Sequence, residues 1–158
     1  MHRFLIWLQL AGWLAAAGAA EAATGRVIKV LPHFLDLQGR HALSPSLYDR
    51  DAYQVHLRQH PEERSGLRFD AQWKTKGGVW EPLKLKLKLE LRGFAQGSLP
   101  KQMVLERVLE ARGSRWAGHW ASLTLSGEGY KAFGDVTAWR MSLWEGDRLL
   151  GEQKSFLW

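Results

Sequence analysis

The chain has no cysteine and no asparagine among its 158 residues, and only five prolines. Beyond residue 23 it also has no apolar run long enough to cross a bilayer as a helix. Without thiols there can be no disulfide, no thiolate metal site, no cysteine nucleophile and no lipid-modified cysteine anchor, so stability has to come from packing. Without asparagine there is no acceptor for an N-glycan. Catalytic signatures are missing too: no serine occupies a G-x-S-x-G elbow, and no glycine-rich loop is arranged to cradle phosphate. No motif calls for a cofactor. Paired catalytic carboxylates are recognised by their separation in space, which a single chain does not supply.

What is present begins at the N-terminus. Met1-His2-Arg3 puts positive charge ahead of an apolar run over residues 4–14, which passes into the small-residue stretch 15–23. Ala20-Glu21-Ala22 fits the A-x-A cleavage rule, which predicts a signal peptide over residues 1–22 and a single mature domain over 23–158. The rival reading is an uncleaved anchor, against which Gln9, Gly12 and the alanine-rich tail argue. Export without cysteine or asparagine points to a bacterial envelope, periplasmic or secreted. The net charge of +6 favours encounter with anionic polymers of that compartment.

Residues 83–92 read L-K-L-K-L-K-L-E-L-R, with leucine at every odd position and charge at every even one. Successive strand side chains point to opposite faces, so only an extended chain puts all five leucines on one side. Similar alternation predicts strands over 66–74 and over 120–126, and the β-branched and apolar content of 25–37 predicts another, where Pro32 suits an edge strand or a bulge. Residues 102–111 fit helical spacing as well as alternation, with Arg107 spoiling the latter; their neighbours favour a strand. Gly146-Asp147 centres a two-residue hairpin pairing Glu145 with Arg148, Trp144 with Leu149 and Leu143 with Leu150, within strands 135–145 and 148–157. One helix is expected after the first strand: Ser46 and Asp49 resemble a capping box, Tyr48, Ala52 and Val55 follow at helical spacing, and Pro61 ends the run. It is expected to lie across an open end of the sheets.

About seven alternating strands with one inserted helix describe an all-β, antiparallel two-sheet sandwich. With Trp80 ahead of the leucine strand, the final hairpin, and Tyr130 at a corner-tyrosine position, the chain resembles an immunoglobulin or fibronectin type III domain. Ala138-Trp139-Arg140, Leu143-Trp144 and Ser155-Phe156-Leu157-Trp158 are similar to segments of small exported bacterial proteins, verrucomicrobial ones among them, of no assigned activity. The resemblance implies an architecture and no chemistry.

Three groups of residues stand out as candidate sites. Lys84, Lys86, Lys88 and Arg92 line the wet face of the leucine strand, as a polyanion stripe would require, though lysine there also deters edge pairing. No stacking aromatics accompany them, which disfavours nucleic acid as a partner. His56 and His60 are one helical turn apart, as metal ligands would be, with His33, Asp36 and His41 upstream. The glutamate of H-E-x-x-H is absent, however, so exposed or helix-capping histidines are the default. Trp116 and Trp120 flank Gly118 and are the tryptophans best suited to stack on a sugar or contact a partner, whereas Trp73 and Trp139 alternate with polar neighbours and are expected in the core.

The expected function is a non-enzymatic structural or interaction module of the envelope, whose partner is another protein or an envelope polymer. The alternative is a polyanion- or carbohydrate-binding sandwich. Lower alternatives are an unrecognised enzyme or an outer-membrane barrel, the latter suggested by the aromatic Trp158 and Phe156 but opposed by Lys154 and Glu152 at lipid-facing parity.

Overall fold

A computed structural model describes residues 23–76, 83–95, 99–111 and 118–158. The signal segment, the glycines at 77 and 78, Trp80 and Trp116 lie outside the described residues. Seven strands are seen: β1 (Thr24–Asp36), β2 (Arg64–Lys76), β3 (Leu83–Phe94), β4 (Pro100–Ala111), β5 (His119–Ser126), β6 (Asp135–Glu145) and β7 (Arg148–Lys154). They form two antiparallel sheets, β1-β2-β5 and β4-β3-β6-β7. The fold is an all-β sandwich whose strand order is compatible with an immunoglobulin-like domain. The strands divide between two facing sheets and do not close into the single sheet of an outer-membrane barrel.

The leucine strand is the centre of the packing. Leu85, Leu87, Leu89 and Leu91 are almost wholly excluded from solvent and face Phe69, Ala71, Trp73, Leu123 and Leu125 of the other sheet. Each buried leucine contributes about 1.5–3 kcal/mol of transfer free energy. Trp73 is buried; Trp139 is half-buried against the same cluster, its ring edge-on to Phe69 with centroids 6.1 Å apart.

Residues 102–111 are a strand, paired through their length with β3. Leu109 is buried and Met103 and Leu105 pack on the core, whereas Val104 and Val108 face solvent. Arg107 shares the inward parity, yet its position on an edge strand lets the guanidinium escape sideways. Its Nη1 donates to the carbonyl of Ser122 on β5 at 3.0 Å, bridging the two sheets. The residue that spoils the alternation therefore acts as an inter-sheet tie.

Several expectations need correction. A second helix, α2 (Gly127–Phe133), joins β5 to β6, and Tyr130 lies within it and not at a strand corner. The final hairpin pairs Glu145 with Arg148 and Trp144 with Leu149 as expected, but a bulge then sets Leu143 opposite Gly151, leaving Leu150 unpaired to pack against the core. The last strand stops at Lys154, because the backbone of Ser155 turns to donate to Trp139 O at 2.9 Å while its hydroxyl accepts from Trp139 N at 3.0 Å.

The expected helix is α1 (Leu47–Gln59), which packs alongside β1 and not across an open end. The Ser46 hydroxyl accepts from Asp49 N at 3.4 Å, but the return bond of a capping box is not made: Asp49 instead accepts from the Ser44 hydroxyl at 2.8 Å, aspartate being one methylene shorter than the glutamate the motif prefers. Gln54 couples the helix to the sheet. Its Oε1 accepts from Phe34 N at 2.8 Å and its Nε2 donates to Phe34 O at 3.0 Å, so one amide satisfies both open backbone groups of the edge strand at that residue.

Candidate functional site: a cationic cleft on the three-stranded sheet

Strand register assembles the floor of the site. On the outer face of the β1-β2-β5 sheet, three rows run across the strands: Lys29–Gln72–Trp120, Leu31–Asp70–Ser122 and His33–Arg68–Thr124. Lys29 owes its place to a bulge at Ile28: Val27 pairs with Trp73 on the core side, and the extra residue returns Lys29 to the outer side opposite Gln72. The His33 end is covered, with His33 and Leu35 buried, whereas the Trp120 end is open, Trp120 being 53% exposed. Between them lies an open cleft of about 660 Å3, reached by Arg50 from α1 and Arg107 from β4.

The cleft contains four cationic side chains, Lys29, Arg50, Arg68 and Arg107, against one carboxylate, Asp70, among its described lining residues. Asp70 is a rigid hub. Its Oδ1 accepts from Ser122 Oγ at 2.5 Å and from Arg68 Nε at 2.8 Å, while Arg68 Nη2 donates to Ser122 Oγ at 3.2 Å. Its Oδ2 lies 3.8 Å from His33 Nε2. Burial holds the His33 pKa below its ordinary value of 6.5; Asp70 opposes the shift, and His41, Arg50 and Arg68 add to it. The rings of His33 and His41 are 5.2 Å apart. Arg50 Nε is buried with no hydrogen-bond acceptor, its nearest carboxylate oxygen being Asp51 Oδ1 at 3.7 Å.

Of the residues singled out from sequence, Trp120, His33 and His41 are brought to this cleft. Lys84, Lys86, Lys88 and Arg92 lie on the outer face of the other sheet, where carboxylates are interspersed: Lys86 pairs with Glu106 and Lys88 with Glu90, each at 3.5 Å, Glu90 also binds Arg140, and Lys84 stands opposite Glu110. Arg92 stacks on Trp158, its guanidinium carbon 4.0 Å from the ring centroid. His56 and His60 stack on each other at 4.1 Å; His56 Nε2 lies 2.8 Å from Glu63 Oε2, and His60 Nδ1 lies 2.9 Å from the His56 carbonyl, closing the helix C-terminus. Asp36, placed by sequence among the upstream ligand candidates, is committed to structure. It accepts from Gln38 N, Arg40 N, Arg40 Nε and Tyr53 Oη, all at 2.8–2.9 Å.

The members that sequence reasoning missed are Lys29, Arg50, Arg68, Asp70, Arg107 and Ser122. Two signals point to three of them: outward Arg68 and Asp70 flank the core position Phe69, and Arg107 breaks its strand's pattern. Comparison with known protein families, curated proteins and solved structures finds no match to this chain.

Proposed function

We propose that the protein is a non-enzymatic binding module, exported to the bacterial envelope, that holds an anionic envelope polymer in the cleft on its three-stranded sheet. The observation carrying this reading is the convergence of Lys29, Arg50, Arg68 and Arg107, from four different elements, around a single carboxylate. Charge so imbalanced in a concave site strengthens attraction to anions beyond what scattered surface cations achieve. The lysine row on β3 is the weaker candidate because Lys86 and Lys88 already face carboxylates. The immunoglobulin-like strand order fits a scaffold that presents a binding face, an analogy of architecture only.

Two features favour binding over catalysis. The Ser122 hydroxyl donates to Asp70 and not to an imidazole, and its oxygen also accepts from Arg68, so the Ser-His pairing of a hydrolytic triad is not formed there. The Asp70 oxygen that accepts from Ser122 also accepts from Arg68 Nε, so this carboxylate is engaged in fixing the wall of the cleft.

The test has two parts. N-terminal sequencing of protein recovered from the periplasm or medium of a bacterial host should begin at Ala23; cytoplasmic retention with Met1 intact would refute export. Co-sedimentation with purified envelope polysaccharide should be lost on raising the salt concentration, and lost at low salt in an Arg50→Ala/Arg107→Ala variant. Equal sedimentation of that variant would move the site elsewhere.

A further inference from the structure

The cleft carries a more specific reading, which rests on the proposal that it binds anions. We infer that its ligand is an acidic saccharide, with a pyranose face lying on Trp120 and a carboxylate or phosphate substituent held by the arginines. Four observations converge on this class.

First, Trp120 is half-exposed at the open end of the outer face while its chain neighbour Ala121 is buried, so the indole is presented to solvent by a strand fixed in the sheet. A flat apolar ring with a polar edge suits the C–H face of a sugar. Second, Ser122 lies two residues further along the same face, about 7 Å from Trp120 at strand spacing. Through it the Asp70–Arg68–Ser122 network stands beside the platform. Asp70 Oδ2 has no hydrogen-bond donor among the described residues, His33 Nε2 being 3.8 Å away, which leaves an acceptor for a sugar hydroxyl. Third, Arg50 Nε is a buried donor without an acceptor, a costly arrangement that an anionic oxygen would relieve. The planar fork of a guanidinium matches both carboxylate and phosphate, so the two forms of acidic sugar share one recognition chemistry. Fourth, the volume of about 660 Å3 is that of a small-ligand site, sufficient for a short segment of a glycan. Among the described residues the cleft presents one aromatic platform, Trp120, with adjoining hydrogen-bonding groups, which favours a sugar over single-stranded nucleic acid, held as that is by successive aromatic platforms along a groove.

The experiment is isothermal titration of the mature chain with an oligouronate, a phosphorylated oligosaccharide, the neutral oligosaccharide of the same linkage, inorganic polyphosphate and single-stranded DNA. The acidic oligosaccharides should bind at least tenfold more tightly than the neutral one. Trp120→Ala should weaken them at least tenfold, and Trp120→Phe should restore most of the loss. Arg50→Ala should weaken acidic sugars and polyphosphate together. A preference for oligouronate or for the phosphorylated sugar tells which acid the site takes; either supports the inference. Polyphosphate binding that depends on Arg50, with acidic sugars indifferent to Trp120, would overturn the sugar assignment while leaving the anion site standing. Tighter, Trp120-dependent binding of DNA would replace the sugar by nucleic acid. Absence of binding by all the anions would overturn both readings. Unfolding midpoints of the variants, expected to match the parent because Trp120 is half-exposed, separate loss of ligand from loss of fold.

Discussion

At the scale of single residues, acid sensitivity divides between Asp36 and His33. Burial alone would raise the Asp36 pKa, but the N–H groups of Arg40 and Gln38, the Tyr53 hydroxyl and the Arg40 guanidinium outweigh it and hold the pKa below its ordinary value of 3.8. The native state therefore gives up this proton more readily than the unfolded chain. Stabilisation from Asp36 is complete above pH 3.8 and is lost as pH falls through the depressed native value. His33 has the opposite charge chemistry but the same slope. Its native pKa lies below 6.5, so the unfolded chain takes the proton first, and stability falls as pH drops from 6.5 through the native value. Denaturant unfolding across pH should thus show two acid-side declines. His33→Gln is expected to flatten the upper one, and Asp36→Asn to flatten the lower one while reducing stability at neutral pH through loss of the charged acceptor. A His33→Gln profile identical to the parent on the acid side of pH 6.5 would contradict the assignment.

At the scale of elements, the leucine strand was legible because its alternation admits one geometry, and β3 carries four buried leucines as that pattern demands. Leu89→Ala should cost about 2–5 kcal/mol, since the vacated space lies between two sheets that can collapse only partly. A loss under 1 kcal/mol in equilibrium unfolding would show the core to be looser than described. The second helix was not legible: seven residues with glycines at 127 and 129 carry too little periodicity to announce a helix, and the turn depends on tertiary packing around the buried Phe133. The cleft was hidden for a different reason. Its members lie at positions 29, 50, 68, 70, 107, 120 and 122; strand register, set in part by the bulge at Ile28, aligns five of them, and the docking of α1 and of the second sheet adds Arg50 and Arg107. Trp120 could be singled out by its flanking residues, and Arg107 by the alternation it interrupts. That the two share a cleft could not be read from either.

At the scale of the whole molecule, the sandwich has two seams. On one side Arg107 spans from β4 to the β5 carbonyl of Ser122. On the other, β1 and β7 approach so closely that a Cβ added at Gly151 would lie 2.8 Å from the Cα of Arg26, and Arg148 Nη2 donates to Ala23 O at 2.5 Å. Gly151→Val should force these edges apart and cost about 1–3 kcal/mol as an overpacking change. Gly25→Ala, whose added carbon would meet the Leu150 and Thr75 side chains at 3.1 Å, should cost less, because side chains yield where backbone does not. Comparing the two urea midpoints checks the prediction; equal effects would mean that the seam is soft.

The single amide that Gln54 lends to Phe34 has a consequence for life at high concentration. It fills a rung of the ladder that another copy's strand would otherwise complete, so the short helix works as a chaperone built into the chain. Removing that amide, as in Gln54→Ala, should leave the core intact yet turn a quiescent domain into one that seeds fibres through strand exchange, visible as concentration-dependent light scattering that the parent lacks.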